Sequence, residues 1–398
     1  MQRTVRLKLR PTDEQAAVLR ETLRQQTACF NAVASYGWAR REKNGVALHK
    51  ATYYPLRAAH PDLPAQLVCA ARVRATEAVK SALDRLAKNR PVRCPIARCV
   101  PIRYDARSYR MTADRAAVGL ASVAGRQAVG VIANPHAAAL LTQATGFDSA
   151  DLIDRGGALW LHVVVTLPDV PLGESGAVVG VDLGLTRPAV TSTKRFLGAR
   201  RWKAIEGRYF RLMRGLDSKG TPSALRHLRR LKGTRARFRR DCDHVLSRRV
   251  VQSVEPGTTI VVENLTDIRA RTTQRGRASR RRLHSWSFAQ LRAFLVYKAE
   301  AAGCLVVGVD PRHTSQRCPR CGHTARANRR GQARFVCRAC GYELNADLVG
   351  AVNIAEKYRV GAGIAGLDGH PVRVPIVRGM GHGVAPPTHK PPGSPGGT

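Results

Sequence analysis

Residues 318–353 read CPRCGHTARANRRGQARFVCRACGYELNADLVGAVN. The stretch holds two cysteine pairs, Cys318-x-x-Cys321 and Cys337-x-x-Cys340, with fifteen residues between them. Each pair puts two sulfurs on one tight turn, and a glycine, Gly322 or Gly341, follows the second Cys. Four thiolates at this spacing fit a tetrahedral zinc ion. A full set of four protein ligands leaves no open position, so such a zinc is structural. The competing reading, a pair of redox dithiols, would not need the second knuckle. A few residues further on, Asp347 stands at the start of a helix-like run.

Working outward, the charge is the next constraint. The 398 residues carry 67 Lys+Arg against 28 Asp+Glu, a net charge of +39. A charge this large repels itself in the compact state unless a polyanion neutralises it. Nucleic acid is the natural polyanion, bound through its phosphates, and the many arginines suit bidentate phosphate contacts. A membrane surface is the weaker alternative, because no basic amphipathic helix dominates. The opening MQRTVRLKLR is not a signal peptide, and no apolar run reaches membrane-spanning length. The six cysteines outside the ribbon (Cys29, Cys69, Cys94, Cys99, Cys242, Cys304) form no disulfide-like framework and read as buried small hydrophobes. A reducing prokaryotic cytoplasm, in association with the nucleoid, is the expected compartment.

In chain order, Val5 to Leu9 alternates apolar and polar residues, as a half-buried strand does. Thr12 to Gln15 forms a capping box that starts a helix with Leu19 and Leu23 on one face. A second helix is expected from about Ala65 to Lys88, with Val68, Ala71, Ala75, Val79, Ala82 and Leu86 at three- and four-residue steps and Arg72, Lys80, Arg85 and Lys88 elsewhere on its surface, Arg72 and Lys80 being candidate nucleic-acid contacts. Tyr53 and Tyr54, between these helices, read as packing residues before nucleic-acid contacts. From Pro91 to Pro171, short apolar runs broken by Pro, Gly, Asn and Asp suggest an antiparallel barrel. Its clearest strand is Leu159 to Leu167, and the first strand is expected to pair into the same sheet. Ala177 to Asp182, Thr259 to Glu263 and Leu305 to Asp310 are buried-type strands, each ending in a carboxylate. Between the first two lies a long Arg-rich helical region, residues 202–254, with Arg226, Arg229, Arg230, Arg235 and Arg237 as candidate nucleic-acid contacts. Residues 268–283 are basic and rich in Ser, Thr and Gly, and read as mobile. A helix over 288–302 precedes the third strand, another runs from Asp347 to about Tyr358, and the Gly/Pro-rich tail is expected to be disordered.

Asp182, Glu263 and Asp347 are the candidate catalytic residues. Three carboxylates brought together in this way hold two Mg²⁺ ions and suit phosphodiester hydrolysis. A single carboxylate at a strand end is otherwise a cap or a solvated charge, and Asp310 is kept as a structural residue.

Gly180-Val181-Asp182-Leu183-Gly184-Leu185, Val261-Val262-Glu263-Asn264-Leu265, the four-cysteine ribbon, and Ala346-Asp347 through Asn353-Ile354 resemble the transposon-encoded TnpB family in order and spacing. Trp286-Ser287-Phe288, Tyr297-Lys298-Ala299-Glu300, Val309-Asp310-Pro311 and Thr314-Ser315 also look like that family. The close match covers roughly residues 176–358, and the first 175 residues match only in layout and in the opening LKLRPTDEQ. That family is similar to the compact type V CRISPR effectors and looks like their ancestor. One departure is local: after the last Asp the family usually has Asn two residues on and then two alanines, where this chain has Val349, Gly350 and Ala351.

The resemblance implies a multidomain α/β and β protein. Residues 1–11 would be the first strand of a wedge β-barrel, 12–90 a helical recognition domain, and 91–175 the rest of the barrel. Residues 176–314 and 343–358 would form a RuvC-like nuclease domain of RNase H fold, with the zinc ribbon at 315–342 inserted and 359–398 as a disordered tail. It further implies a monomeric ribonucleoprotein with a guide RNA that cleaves double-stranded target DNA beside a short adjacent motif. Asp182, Glu263 and Asp347 fall on the family's catalytic positions, with Mg as the catalytic and Zn as the structural metal. The alternatives are an effector serving a CRISPR array, and a guided DNA-binding repressor that cuts little.

Overall fold

The structure is a computed structural model that describes residues 1–184, 187–265, 287–331 and 333–364. The chain divides into two compact units, Met1–Asp169 and Val170–Thr398.

In the first unit, strand β1 (Gln2–Arg10) buries Val5, Leu7 and Leu9 and turns Arg6, Lys8 and Arg10 outward. It is a central strand. One edge pairs antiparallel with β7 (Ala158–Thr166), Leu7 opposite Leu161, and the other with β5 (Gly125–Ile132), Leu9 opposite Val131. With β2 (Ile102–Tyr104), β3 (Tyr109–Met111), β4 (Ala117–Ser122) and β6 (Gly146–Arg155), the sheet order is β2-β6-β7-β1-β5-β4-β3. The two outermost strands, β2 and β3, are consecutive in sequence and joined by residues 105–108. The sheet therefore curls round into a nearly closed barrel. Asp105 Oδ1 accepts from the Arg107 and Ser108 backbone N–H groups, which tightens that joint, and the Tyr104 hydroxyl donates to Ala121 O on β4.

Helix α1 (Asp13–Arg40) begins with the Thr12–Gln15 capping box, both reciprocal hydrogen bonds being present. Helix α3 (Ala65–Leu86) buries Val68, Ala71, Ala75, Val79 and Ala82. Between them lies a helix that the sequence pattern did not suggest, α2 (Gly45–Ala59), capped by Asn44 and containing Pro55. Only Leu48, Thr52 and Leu56 of α2 are buried, a stripe too narrow to register as periodicity. Tyr53 packs against the core as expected, but Tyr54 is 77% exposed. A short helix, α4 (Pro135–Gln143), interrupts the run of strands.

In the second unit, β8 (Val178–Asp182), β11 (Thr259–Glu263) and β12 (Leu305–Val309) are parallel. β9 (Ala189–Thr191) and β10 (Phe196–Leu197) extend the sheet antiparallel, giving the order β10-β9-β8-β11-β12. The Arg-rich region is two helices, α5 (Arg200–Lys219) and α6 (Pro222–Val251). They part at Gly220, with Thr221 Oγ1 capping the second. α7 (Phe288–Glu300) packs with α6 over one face of the sheet, burying Val179, Val181, Ile260 and Val262 with Leu246, Leu291 and Leu295. α8 (Ala346–Ile364) crosses the other face. It runs beyond Tyr358, so residues 359–364, expected in the tail, are helical. Residues 268–283 and the tail from 365 lie outside the described residues. The six cysteines outside the ribbon divide: Cys29, Cys242 and Cys304 are buried as expected, Cys69 and Cys94 are half-buried, and Cys99 is exposed. Among the described residues no helix is long and apolar enough to cross a membrane.

The seam between α6 and α7 is polar. Lys298 Nζ donates to His244 O at 2.6 Å and to Ser247 Oγ at 2.7 Å, and burial lowers its pKa to about 8. Asp243, 2% exposed, accepts from Ser287 Oγ, while Arg239 Nε donates to the same hydroxyl at 2.8 Å. Burial nonetheless pushes the Asp243 carboxyl up to about 6. A carboxyl raised above its unfolded value stabilises the fold while protonated, and that contribution is lost as pH rises through about 6. Asp243→Asn removes the dependence. Between pH 4 and pH 7 the unfolding free energy of the wild type is expected to fall against this variant by roughly 2 kcal/mol, read by denaturant melts.

Candidate active site and metal centre

Side-chain alternation in the parallel strands decides which residues meet. Val179 and Val181 of β8 face α6 and α7, so Gly180 and Asp182 face α8. In β11 the same alternation sends Ile260 and Val262 to the first face and Glu263 to the second. The register sets Val262 opposite Val181, which leaves Glu263 beside Asp182 at the strand ends. Asp347 lies in the first turn of α8. α8 comes very close at Gly180, where an added Cβ would stand 2.1 Å from Ala351 O and 2.6 Å from Ala355 N. Only glycine allows that approach. Asn345 Oδ1 caps α8 by accepting from the Asp347 and Leu348 backbone N–H groups at 3.1 and 3.3 Å.

The charges of the other two carboxylates act on Asp182. Burial raises the Asp182 carboxyl to about 7, and the charges of Glu263 and then Asp347 push the same way. Glu263 and Asp347 are also raised, chiefly by burial. Opposing this is Arg329, which lowers all three. It stands 3.7 Å from Asp347 Oδ1, while Arg187 Nε stands 3.7 Å from Oδ2. Thr314 Oγ1 donates to Glu263 Oε1 at 2.5 Å, and Asn353 Nδ2 holds the Thr314 loop to α8 by donating to Thr314 O and Arg317 O. Lys357 Nζ donates to Asp310 O and Arg312 O. Asp310 itself is exposed and serves its own turn, its Oδ1 accepting from Arg312 N–H.

The ribbon is built from the two knuckles and a hairpin of β13 (Arg334–Val336) and β14 (Glu343–Asn345), which runs three residues past 342. Gly322 and Gly341 have φ of 76° and 70°, the left-handed conformation each knuckle turn needs. Cys318 Sγ lies 3.7 Å from Cys340 Sγ, and Cys321 Sγ 3.5 Å from Cys337 Sγ. All four sulfurs lie within 4.8 Å of one another. A zinc ion with Zn–S bonds of ~2.3 Å at tetrahedral angles needs sulfurs about 3.8 Å apart, so the donor set fits. The buried Asn328 stitches the two knuckles together: Nδ2 donates to Gln316 O and His323 O, and Oδ1 accepts from Arg338 N–H. Among the described residues, no other group of three or more His, Cys, Asp or Glu gathers its ligand atoms this tightly.

Val349, where the family resemblance leads to Asn, is fully buried with Cys318, Phe335 and Cys337 under the ribbon. At Gly350 an added Cβ would lie 3.1 Å from Asp182 Oδ2. Of the candidate nucleic-acid contacts, Lys80, Arg226, Arg229, Arg230 and Arg237 are exposed and Arg72 is half-buried. Arg235 is committed elsewhere, with Nε and a terminal nitrogen 3.0 and 2.8 Å from Glu206 Oε2 and its guanidinium over the Phe210 ring. Arg187 and Arg329 were not suggested by the sequence, since each is one arginine among many without a distinguishing pattern.

Residues 288–354 match the family model described as Cas12f1-like, TNB domain. Over 223 residues the chain is 34% identical to the CRISPR-associated endodeoxyribonuclease Cas12f1 of Sulfoacidibacillus thermotolerans, 51% of each chain. It is 32% identical over 232 residues to the putative RNA-guided DNA endonuclease InsQ of Escherichia coli K12, 53% of this chain and 57% of that one. It is 31% identical over 131 residues to the TnpB-like protein MJ0751 of Methanocaldococcus jannaschii, 33% and 46% of the two chains. The matches thus span about half the length of these curated relatives. A cryo-EM structure of a Cas12f1–sgRNA–target DNA complex superposes with a TM-score of 0.59 at 15% identity, covering 86% of this chain and 83% of that one, so the fold is shared.

The sulfur geometry sets a test. Purified protein is expected to carry one zinc per chain by elemental analysis, and Cys337→Ser to lose it. Because Arg329 stands in the ribbon next to Asp347, that loss is expected to impair any cleavage more than RNA binding. Equal loss of both would reduce the ribbon to a fold staple.

Proposed function

We propose that this chain, a relative of the TnpB-like and Cas12f1 proteins, is an RNA-guided DNA endonuclease. In this reading the second unit is a RuvC-like nuclease of RNase H fold with the zinc ribbon inserted. The barrel of the first unit is the wedge, and α1 to α3 are the recognition helices. The observation that carries the proposal is the set of three carboxylates. Asp182 and Glu263 project from neighbouring parallel strand ends onto the face crossed by α8, whose first turn supplies Asp347. Burial raises all three pKa values. Like charges in a buried place are costly without a cation, and oxygen donors suit a hard divalent one.

Asp182, Glu263 and Asp347 would hold the two Mg²⁺ ions, which when bound would supply Lewis-acid stabilisation for phosphodiester hydrolysis. The chain's own groups do the rest. Thr314 fixes the direction of Glu263, and Arg329 offsets the cluster's negative charge from the ribbon side. Asn353 and Lys357 hold the loop after β12 against α8. Base pairing with a guide would read the target, leaving the protein to grip backbone. The net charge of +39 supports such a partner. The guide's origin, a transposon end or a CRISPR array, separates the TnpB reading from the type V effector reading, and sequencing the RNA that co-purifies decides it.

Asp182→Ala and Asp347→Ala, tested with that RNA, matched target DNA and Mg²⁺, are expected to lose cleavage by about 100-fold or more while keeping RNA binding. Target binding without cutting, unchanged in Asp182→Ala, would instead support a guided repressor.

A further inference from the structure

Arg187 stands in the turn after β8, in a long ion pair with Asp347 but without a hydrogen bond to it. Its Nε is 3.7 Å from Asp347 Oδ2, beyond hydrogen-bond reach, and its side chain keeps 42% exposure. The guanidinium lies over the Phe196 ring, 4.8 Å from the centroid. Phe196, itself 44% exposed, sits in β10 opposite Val190, and Val190 is opposite Asp182 in β8. The ring and the first carboxylate thus belong to one cross-strand row, so the ring's position is fixed by the strand that carries Asp182.

A fully committed arginine closes on its carboxylate, as Arg235 does on Glu206 with contacts of 3.0 and 2.8 Å, whereas Arg187 and, from the ribbon side, Arg329 both stand 3.7 Å from Asp347. Arg187 stands off instead, propped on an aromatic face at the exposed border of the site. Its planar fork of donors is thereby left for a partner of matching geometry, and a phosphate offers one. We propose that Arg187 binds a non-bridging oxygen of a DNA backbone phosphate next to the scissile bond, with Phe196 setting its direction. Arg187 would then place the strand across Asp182, Glu263 and Asp347, and it adds a contact to the endonuclease reading, on which it rests.

The guide-loaded complex tests this with a target strand carrying one methylphosphonate, moved a position at a time through the cleaved region. In the wild type, one position is expected to slow cleavage. In Arg187→Ala that penalty should vanish, and the half-saturating DNA concentration should rise about 10-fold (about 1.4 kcal/mol). Arg187→Lys should recover part of the loss, and the Mg²⁺ requirement should stay unchanged. Strand binding is read separately, by anisotropy of a labelled single-stranded oligonucleotide in Ca²⁺. A complex that never cuts would sink the endonuclease reading and with it the placement beside a scissile bond, whereas cleavage with strand binding unchanged in Arg187→Ala would overturn the Arg187 contact alone. Cleavage with additive penalties, or a shift in Mg²⁺ requirement in place of the DNA concentration, would overturn the role assigned to Arg187.

Discussion

The closeness of α8 to β8 is the contact on which the second unit's site depends. At Gly180 the backbone of α8 comes so near the strand that a single methyl group would meet Ala351 O at 2.1 Å. The same face of β8 carries Asp182 two residues later, and the start of α8 carries Asp347. The approach of two backbones therefore sets the distance between two carboxylates. Glu263 enters through register alone, because β11 pairs with β8 so that the two strands end together. Three elements that contribute one acidic side chain each are thus fixed by one missing side chain and one ladder of hydrogen bonds.

The ribbon and this site are joined through side chains. Arg329 extends from the ribbon to Asp347, and Val349 of α8 packs beneath Cys318, Phe335 and Cys337. The first turns of α8 serve both parts, which accounts for a valine where the family resemblance leads to Asn. An apolar residue at 349 completes the ribbon's small core, whose other buried members are few. The electrostatic balance is shared in the same way. Burial raises all three carboxylates and the other two charges raise Asp182 further, while the Thr314 hydrogen bond, Lys357 and Arg329 draw Glu263 back.

Much of this is legible in the sequence, for physical reasons that differ by element. The strands β1 and β7 are plain because one face is buried and the other is largely exposed in β1 and half-buried in β7, which prints an alternation of period two. β8, β11 and β12 are plain because parallel strands covered on both faces are apolar throughout, even β12 at the sheet edge, and each run stops at a carboxylate. The cysteine spacing is plain because tetrahedral coordination needs two sulfurs per turn. α2 is hidden because it rests only Leu48, Thr52 and Leu56 on the core and contains a proline. The break at Gly220 carries a signal, a glycine followed by the Thr221 cap and Pro222 in the first turn, that the arginines running on through both helices mask. Arg187 and Arg329 are hidden for a related reason: in a chain with 67 Lys+Arg, the two that face the carboxylates carry no local signature. Arg235 shows the converse, an apparent surface cation that proves to be paired with Glu206.

The position of β1 has a consequence for how the first unit is made. Its two neighbours lie far away in sequence: Val5 pairs with Val163, and Leu9 with Val131. A ribosome delivers this strand before either partner, and more than a hundred residues must follow before either edge is covered. Contacts this distant slow the closing of a sheet, and an uncovered strand in the interval is an invitation to self-association. Arg6, Lys8 and Arg10 alternate with its apolar residues, so the waiting strand carries charge along its length. Charge placed in this way is the device by which uncovered strands resist pairing with other chains.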